Sequence, residues 1–581
     1  MTKLIQRQVD LTEWSWQNCS CLSWAVGAIS MALTEEQESS LFVLVIRGLL
    51  ELCRKVEGKE NRAVVASSIM FVVGQYPRFL RYHSPFLRAV VKKLIEFMRE
   101  QFPGVQEMAV DTLLKIASKV PEQFVVSWDC GASIAEDVAG RWTDITSMLK
   151  PQLMYTCFAA AGYMVEKESP GRQVSLLSTF LQDANDIFKS IAERAAAQGP
   201  AFCQDTTGMR ELIHNLRIFS SVASTCGTSF VSEMGLIIWD LQGLYRMFFT
   251  AQTALVRDNG PKALELEEAR HLRVAKKEIL RIFECFIDNT EEYDFVATNC
   301  MPSILTTVLE DYRDSLPIVK EAGAMALVTA CVNKLGARLA GDCAAILDHT
   351  FDTTVKIICT NTEDYPEFRI NLFKLLNALN THCFTNFLSY ASAKVDVING
   401  MLWVIRHKDF ATMETGLKTL DNFLENVSRS EVLQPFYSAF MERLFVEILI
   451  VAMDSLHAAG FDLHCSILMK LFTVSSMFPP DTATVGRNAV RGFLIENLLV
   501  IGTLTENLIS EFVSGCYDYH RDPKEFKRHF ADFLIEMQVW GAEEENKLQQ
   551  QEEQRLLETI IPGFSLMTTD PFVIPNFSSE I

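Results

Sequence analysis

Apolar residues recur at helical spacing along almost the whole chain. In LFVLVIRGLLELC (41–53) and FLRAVVKKLIEFM (86–98) they return every three or four residues, which is the spacing of one helix face. Prolines such as Pro77, Pro103 and Pro121 stand where these stretches end. We find no convincing run of alternating strands with hairpin turns. The pattern therefore predicts an all-α protein.

A longer period lies over the helical spacing. A small or apolar residue, followed by apolar residues four and seven positions later, begins at Ala66, Ala109, Ala324, Leu372 and Gly416. Neighbouring starts are 43 to 48 residues apart, apart from the long gap between the second and the third. That spacing is typical of HEAT repeats, in which antiparallel helix pairs bury their apolar faces by stacking. We predict a HEAT-repeat α-solenoid, a superhelix of such pairs, over residues 1–540.

The last residues differ in composition from the rest of the chain. The stretch 541–558 reads as one polar C-terminal helix, and 559–581 is rich in Pro, Phe and Ser without a period. From residue 541 onwards there are eight acidic and two basic residues. Two interpretations remain open for this acidic tail: a frayed terminus, or an arm that returns to a basic surface.

Composition and charge exclude several classes of protein. With 581 residues, 49% of them hydrophobic and 22% charged, the chain has a folded composition but is too long for one compact core. A net charge of −20 argues against general nucleic-acid binding. The 15 scattered cysteines indicate a reducing compartment rather than a disulfide scaffold. MTKLIQRQVDL lacks a signal-peptide core and no apolar run reaches 18 residues, so we expect no membrane insertion.

A catalytic or metal-binding constellation cannot be assembled from the sequence. Phosphate-cradling, dinucleotide-binding, nucleophile-elbow and metalloprotease motifs are all missing. His382–Cys383 and His464–Cys465 are adjacent pairs, and adjacent residues on a helix point in different directions. Cys19 and Cys21 have no second pair at zinc spacing. We therefore expect no enzyme, metal or cofactor, and favour a scaffold that binds other proteins.

One segment is basic although the chain as a whole is acidic. Between Ile46 and Glu100 there are 11 Lys/Arg residues against five Asp/Glu. If 38–55 and 85–100 are the first helices of two consecutive repeats, their apolar stripes face each other. These stripes either close completely as ordinary core, or stand apart as an apolar groove with basic edges. A groove of the second kind suits an amphipathic helix with acidic flanks.

Four stretches carry a family resemblance: TEWSWQN, VGQYPRFLR, GVQEMAVDTLLKIA and EDYPEFRINLFKLLNALNTHCF. They resemble the C-terminal half of the chromosome-region-maintenance exportins. These are karyopherins of the importin-β family and act as receptors for leucine-rich nuclear export signals. FKRHFADFLIEM and IPGF match the last helices of that family more weakly. The resemblance covers essentially the whole chain in order.

The resemblance implies a binding site at about residues 38–110, between the first helices of adjacent repeats. We call this site the candidate groove. Its apolar lining is expected to comprise Ile46, Leu50, Cys53, Ala66, Met70, Phe79, Phe86, Val90, Phe97 and Met108. Its basic rim is expected to comprise Lys59, Arg62 and Lys93. Cys53 matches the cysteine that leptomycin-type unsaturated lactones alkylate in the family. Nearby positive charge lowers a thiol pKa whereas apolar burial raises it, so we expect charge to prevail if the candidate groove is open to solvent and burial to prevail if it is closed.

The same resemblance implies the partners. We expect protein cargo with leucine-rich export signals, cooperative loading with GTP-bound Ran, and passage through nuclear pores on phenylalanine-glycine nucleoporins. The localisation implied is shuttling between nucleus and cytoplasm through the pore. The alternative is a HEAT-repeat scaffold of another assembly without an export-signal groove.

Two departures from the family pattern matter. Pro85 stands where the family commonly has a lysine, so one rim charge is lost. The N-terminal half of the family, which carries much of the Ran contact, has no counterpart in these residues. We therefore expect either a fragment of a longer product or a reduced exportin that works with another polypeptide.

Overall fold

A computed structural model describes residues 2–100, 102–127, 131–360, 365–394, 396–500 and 504–536. Within these ranges the chain forms helices joined by short turns, and it contains no β-strand. This confirms the all-α prediction. The predicted helix at 541–558 and the acidic tail at 559–581 lie outside the described residues. The chain divides into two compact units, Met1–Leu339 and Ala340–Ile581, which are described separately.

The first unit contains the helices α1 to α17. They are α1 (Thr2–Val9), α2 (Trp16–Ala28), α3 (Glu35–Lys55), α4 (Lys59–Gln75), α5 (Pro77–Tyr82), α6 (Ser84–Phe97), α7 (Val105–Lys119), α8 (Ile134–Ala139), α9 (Trp142–Thr146), α10 (Pro151–Val165), α11 (Pro170–Gln198), α12 (Thr206–Ala223), α13 (Phe230–Asn259), α14 (Glu267–Asn289), α15 (Tyr293–Phe295), α16 (Met301–Asp314) and α17 (Ala322–Leu335).

These helices form two layers. In the B layer, α2, α4, α7, α10, α12, α14 and α17 pack one against the next in chain order. In the A layer, helices such as α3, α6, α11, α13 and α16 pack against their B-layer neighbours. Stacking of paired helices in this way is the arrangement expected of HEAT repeats.

The second unit repeats the two-layer arrangement. Its helices are α18 (Cys343–Thr360), α19 (Pro366–His382), α20 (Phe384–Ala393), α21 (Asp396–Val404), α22 (Phe410–Ser428), α23 (Leu433–Ala452), α24 (Phe461–Met477), α25 (Arg487–Leu499), α26 (Glu506–Tyr519) and α27 (Pro523–Glu536). The B layer runs through α19, α22, α24 and α27, and α18, α21, α23 and α26 pack on it.

The 43- to 48-residue template identifies B-layer helices correctly. Its five starting residues lie in α4, α7, α17, α19 and α22, and all five are buried. The template finds nothing between residues 151 and 289, where the A-layer helices α11 and α13 are 29 and 30 residues long. Both long helices end at a glycine with positive φ, Gly199 at 58° and Gly260 at 77°, a conformation that favours glycine. Longer A helices stretch the repeat, so the period is lost there.

Among the described residues, none of the helices alone has the length and apolar character to cross a membrane. The segments Leu433–Ala452 and Leu456–Met477 meet that measure only when taken together, and they are bent by 119° at their junction.

Candidate functional site

The candidate groove lies between two A-layer helices, α3 and α6, above the B-layer helix α4. Helix α3 begins with a capping box in which Thr34 and Gln37 satisfy each other's backbone N–H groups. Helix α6 has Pro85 in its first turn, where a proline is tolerated. The predicted first helices at 38–55 and 85–100 are thus confirmed, with the short helix α5 between them. In the described part of the chain, α3 packs on α4 and α6 on α7, and the backbones of α3 and α6 approach each other less closely.

Burial of the lining residues differs between the floor and the edges of the candidate groove. Ile46, Ala66, Met70 and Phe79 are buried. Leu50 remains 49% exposed although it lies one turn from buried Ile46 on the same helix. The lining residues that are half-buried are Cys53, Phe86, Val90, Phe97 and Met108. The candidate groove therefore has a buried floor and apolar edges that still face solvent.

An aromatic cluster closes one end of the candidate groove. The Phe42 ring lies 4.5 Å from Phe79 and 5.8 Å, edge-on, from Phe86. Phe79 also stacks on the His83 ring at 3.9 Å between centroids. Phe42 was not among the predicted lining residues, although it lies one helical turn before Ile46 on the same stripe. That four-residue spacing was the signal that could have found it.

An ion pair with a buried carboxylate lies behind this aromatic cluster. Glu38, one turn before Phe42, has a side chain only 1% exposed, and one carboxylate oxygen lies 3.3 Å from Arg78 Nη1. Arg78 also donates a hydrogen bond to the Leu33 carbonyl. A cavity of about 30 Å³ beside this pair is lined by Ser39 and His83, among others. The pair links α3 to α5, the helix that carries Phe79.

Two of the three side chains predicted for the basic rim make contacts within the chain. The Lys93 ammonium lies 2.7 Å from Glu96 Oε2 and 5.0 Å from the centre of the Phe97 ring. Arg62 donates from Nε to the Val56 carbonyl at 3.2 Å. Lys59 is exposed. Lys93 and Arg62 are therefore held near the apolar lining, whereas Lys59 faces solvent.

The environment of Cys53 corrects one expectation. Burial raises the pKa of the Cys53 thiol, and the nearby charges of Arg62 and Lys93 only partly oppose that rise. Charge therefore does not prevail as expected for a groove open to solvent, because desolvation of the thiolate outweighs the attraction to the two cations. Cys53 lies in a partly closed section of the candidate groove rather than in an open one.

Few thiols are accessible among the cysteines whose side chains the structure describes. Cys21 is exposed, Cys53 and Cys285 are half-buried, and the others are buried. Cys19 and Cys21, the closest pair in the sequence, thus differ in burial. Within the described ranges, no three His, Cys, Asp or Glu side chains are grouped so as to hold a metal ion.

Met108 has a second environment besides the one implied by the resemblance. It lines a cavity of about 560 Å³ between α2, α4 and the start of α7, together with Trp16, Trp24 and Phe71. The structure brings Phe79 and Phe86 together around Phe42, and places the charges of Arg62 and Lys93 near Cys53. The assignment of Met108 to the candidate groove remains a prediction.

Two protein-family models together match most of the chain. The family model described as CRM1 C terminal matches residues 233–542, and the one described as CRM1 / Exportin repeat 3 matches residues 10–60. The chain is 33% identical over 592 residues to Protein EXPORTIN 1A of Arabidopsis thaliana, with 97% of the chain and 54% of the relative covered. It is 33% identical over 576 residues to Exportin-1 of Schizosaccharomyces pombe, with 96% and 53% covered. The chain therefore spans about half the length of these curated relatives.

The fold is also shared with a solved structure. The structure titled Importin13 cytosolic state superimposes with a TM-score of 0.57 at 8% sequence identity, covering 93% of this chain and 63% of that chain. At this identity the likeness concerns the fold alone. It agrees with the HEAT-repeat solenoid predicted from the spacing of apolar residues.

Proposed function

Because the CRM1 C-terminal model matches more than half of its residues, the chain belongs to the CRM1 C-terminal family, and from this premise we propose that it is a nuclear export receptor or the cargo-binding part of one. The relatives that it matches over nearly its whole length are named exportins. Since the chain spans only about half of them, their complete activity is carried over here as a proposal.

The ligand of the candidate groove is a leucine-rich nuclear export signal. The observation that carries this proposal is the row of apolar side chains on α3 and α6 that stays partly exposed above a buried floor. Leu50, Phe86 and Val90 offer apolar surface on facing helices. Arg62 and Lys93 supply positive charge for the acidic flanks of such a peptide.

Energetics predict weak binding by the chain alone. An export signal presents about four apolar anchors, and burying them fully is worth on the order of 6–12 kcal/mol in total. Ordering a flexible peptide and forming the complex each cost several kcal/mol. The small remainder suits a transport receptor, which loads cargo only when a second ligand favours binding.

The second ligand is GTP-bound Ran. Ran and cargo strengthen each other equally, because coupling between two sites is reciprocal, and cargo is released after GTP hydrolysis. The loaded receptor passes through the pore on phenylalanine-glycine nucleoporins and shuttles between nucleus and cytoplasm. The karyopherin resemblance and the exportin relatives support these proposals, and they support a transport role rather than an enzymatic one.

A fluorescent leucine-rich export peptide tests the proposal directly. We expect weak binding to the chain, and Leu50→Asp and Phe86→Ala should each weaken it by about 1–3 kcal/mol, because each removes apolar contact at a groove edge. Binding is measured by fluorescence anisotropy.

Leu236→Asp is the matched control. Leu236 is a leucine on α13 that is 67% exposed, so this change adds the same charge far from the candidate groove. If Leu50→Asp binds the peptide as well as the Leu236→Asp control does, the peptide does not occupy the candidate groove. The scaffold alternative would then stand.

A further inference from the structure

A second site with the geometry of the candidate groove occurs in the second unit. There the A-layer helices α18 and α21 flank a cavity of about 450 Å³ above the B-layer helix α19. Helix α18 packs on α19 and α20, and α21 packs on α22. A volume of this size is within the range of sites that hold a large side chain or a small ligand.

Apolar and aromatic side chains form the walls of this cavity. Phe351, Leu372 and Phe373 are buried at its base, and Trp403 is half-buried at its edge. Gly400 lines the same cavity, and a Cβ there would lie 3.3 Å from the Phe351 ring. Any longer side chain at this position would therefore be pressed against Phe351 and would fill the cavity.

Carboxylates stand on both edges of the cavity. Asp352 on α18 and Asp396 on α21 are exposed, and neither forms an ion pair within the described ranges. Asp396 accepts a hydrogen bond from Asn399 Nδ2 at 3.3 Å, and Asn399 Oδ1 accepts one from Arg443 at 2.7 Å. Lys356 also lines the cavity and has a partner of its own.

The balance of charge distinguishes this cavity from the candidate groove. Two carboxylates and one ammonium line it, whereas the rim of the candidate groove is basic. An export peptide with acidic flanks is repelled by Asp352 and Asp396. A segment with a cation beside its apolar anchor is attracted to them, and the anchor gains contact with three aromatic rings.

We propose that this cavity binds a short segment of a partner protein in which a large apolar side chain lies next to lysine or arginine. The apolar side chain enters between Phe351 and Trp403, and the flanking cation meets Asp352 or Asp396. This site is separate from the proposed export-signal site and has the opposite charge preference. The chain thus offers two docking sites of similar geometry that select different partners.

Three fluorescent peptides with one central phenylalanine test the proposal on the full chain. Their phenylalanine is flanked by two lysines, two serines or two glutamates. We expect anisotropy to show the lysine-flanked peptide binding at least about tenfold more tightly than the serine-flanked one, with the glutamate-flanked peptide weakest. Gly400→Met should abolish binding of the lysine-flanked peptide by filling the cavity.

Charge reversal provides the independent variant. Asp352→Lys with Asp396→Lys should reverse the preference towards the glutamate-flanked peptide, and these exposed positions are suited to substitution without loss of folding. Asp518→Lys on α26 is the matched control, since Asp518 is also exposed in the second unit. Equal binding of the lysine- and serine-flanked peptides would overturn the proposal, as would equal loss in Asp518→Lys. Binding of the export peptide should not change in any of these variants. The proposal for this cavity and the proposal for the candidate groove are therefore tested independently.

Discussion

Cys53 shows how burial and charge act in opposite directions on one side chain. The sequence places it among lysines and arginines, which favours a thiolate, and the fold half-buries it, which disfavours one. The burial effect is the larger of the two. Sequence spacing put Ile46, Leu50 and Cys53 on one helix face, but the degree of closure around the thiol depends on how α3 packs, which no local pattern determines.

Labelling of Cys53 by an unsaturated lactone should rise with pH. The reactive form is the thiolate, and a raised pKa lowers its fraction at neutral pH, so the rate should increase about tenfold per pH unit below that pKa. Lys93→Met removes one opposing cation and should slow the reaction. Mass spectrometry under limiting reagent measures the site and rate.

Cys21 is the competitor to control for, because it is the exposed thiol among the described cysteines. In a Cys21→Ser background, the lactone should modify Cys53 first, and the adduct should abolish export-peptide binding. Cys53→Ser should bind peptide normally and resist the compound. Labelling that spreads evenly over several cysteines, or that leaves Cys53 unmodified, would argue against access to the candidate groove.

At the level of elements, α5 is the part of the site that the sequence did not reveal. Its proline at residue 77 marks a helix start, but its six residues are too few to show a periodic face. The Glu38–Arg78 pair holds it against α3, and Phe79 on α5 then completes the aromatic end of the candidate groove. The available signal was Glu38, a charged residue on the same face of α3 as the apolar Phe42 and Ile46.

Arg78→Met should destabilise the protein by about 3 kcal/mol, because it leaves the buried Glu38 carboxylate without its cation. Arg78 itself is partly exposed, so the loss should lie at the lower end of the range for buried pairs. The double variant Glu38→Leu with Arg78→Met should recover much of that loss. Urea unfolding gives the free energies.

The comparison is Arg81→Met, which breaks the exposed Arg81–Glu122 pair and should cost no more than about 1 kcal/mol. An equal cost for Arg78→Met and Arg81→Met would show that the buried pair does not hold α5. A double variant as unstable as Arg78→Met alone would contradict the role of the uncompensated charge.

For the whole molecule, the 43- to 48-residue period of the sequence predicted the two-layer architecture but did not detect the change in repeat length. The template residues Ala109 and Leu372 lie in the buried layer as expected. The stretch between residues 151 and 289 has the same two layers but longer A helices, and a fixed period cannot detect a repeat whose length changes. The facing stripes of the candidate groove were likewise predictable, whereas their separation follows from the packing of α3 and α6 on different B-layer helices.

Unfolding of the chain should occur in more than one step, because stacked repeats and separate compact units lose cooperativity over long chains. Leu212→Ala in α12 and Leu376→Ala in α19 each remove a fully buried side chain, at a cost of about 2–5 kcal/mol. Calorimetry should show the two variants lowering different transitions. A single transition shifted equally by both would refute this expectation.

The long A helices also differ from α3 and α6 in how they are joined to their neighbours. Side-chain hydrogen bonds join α11 and α13 to each other and to the helices on either side, namely Asn185–Glu233, Thr143–Asp183 and Gln242–Ser303. Tilting one of these helices against the next would stretch the hydrogen bond between them. Within the described residues no hydrogen bond joins α3 directly to α6, and the Phe42 and Phe86 rings meet edge-on at 5.8 Å between centroids. A small tilt between α3 and α6 would therefore change the width of the candidate groove without breaking a direct hydrogen bond between them, so we expect this part of the stack to deform readily where the peptide docks.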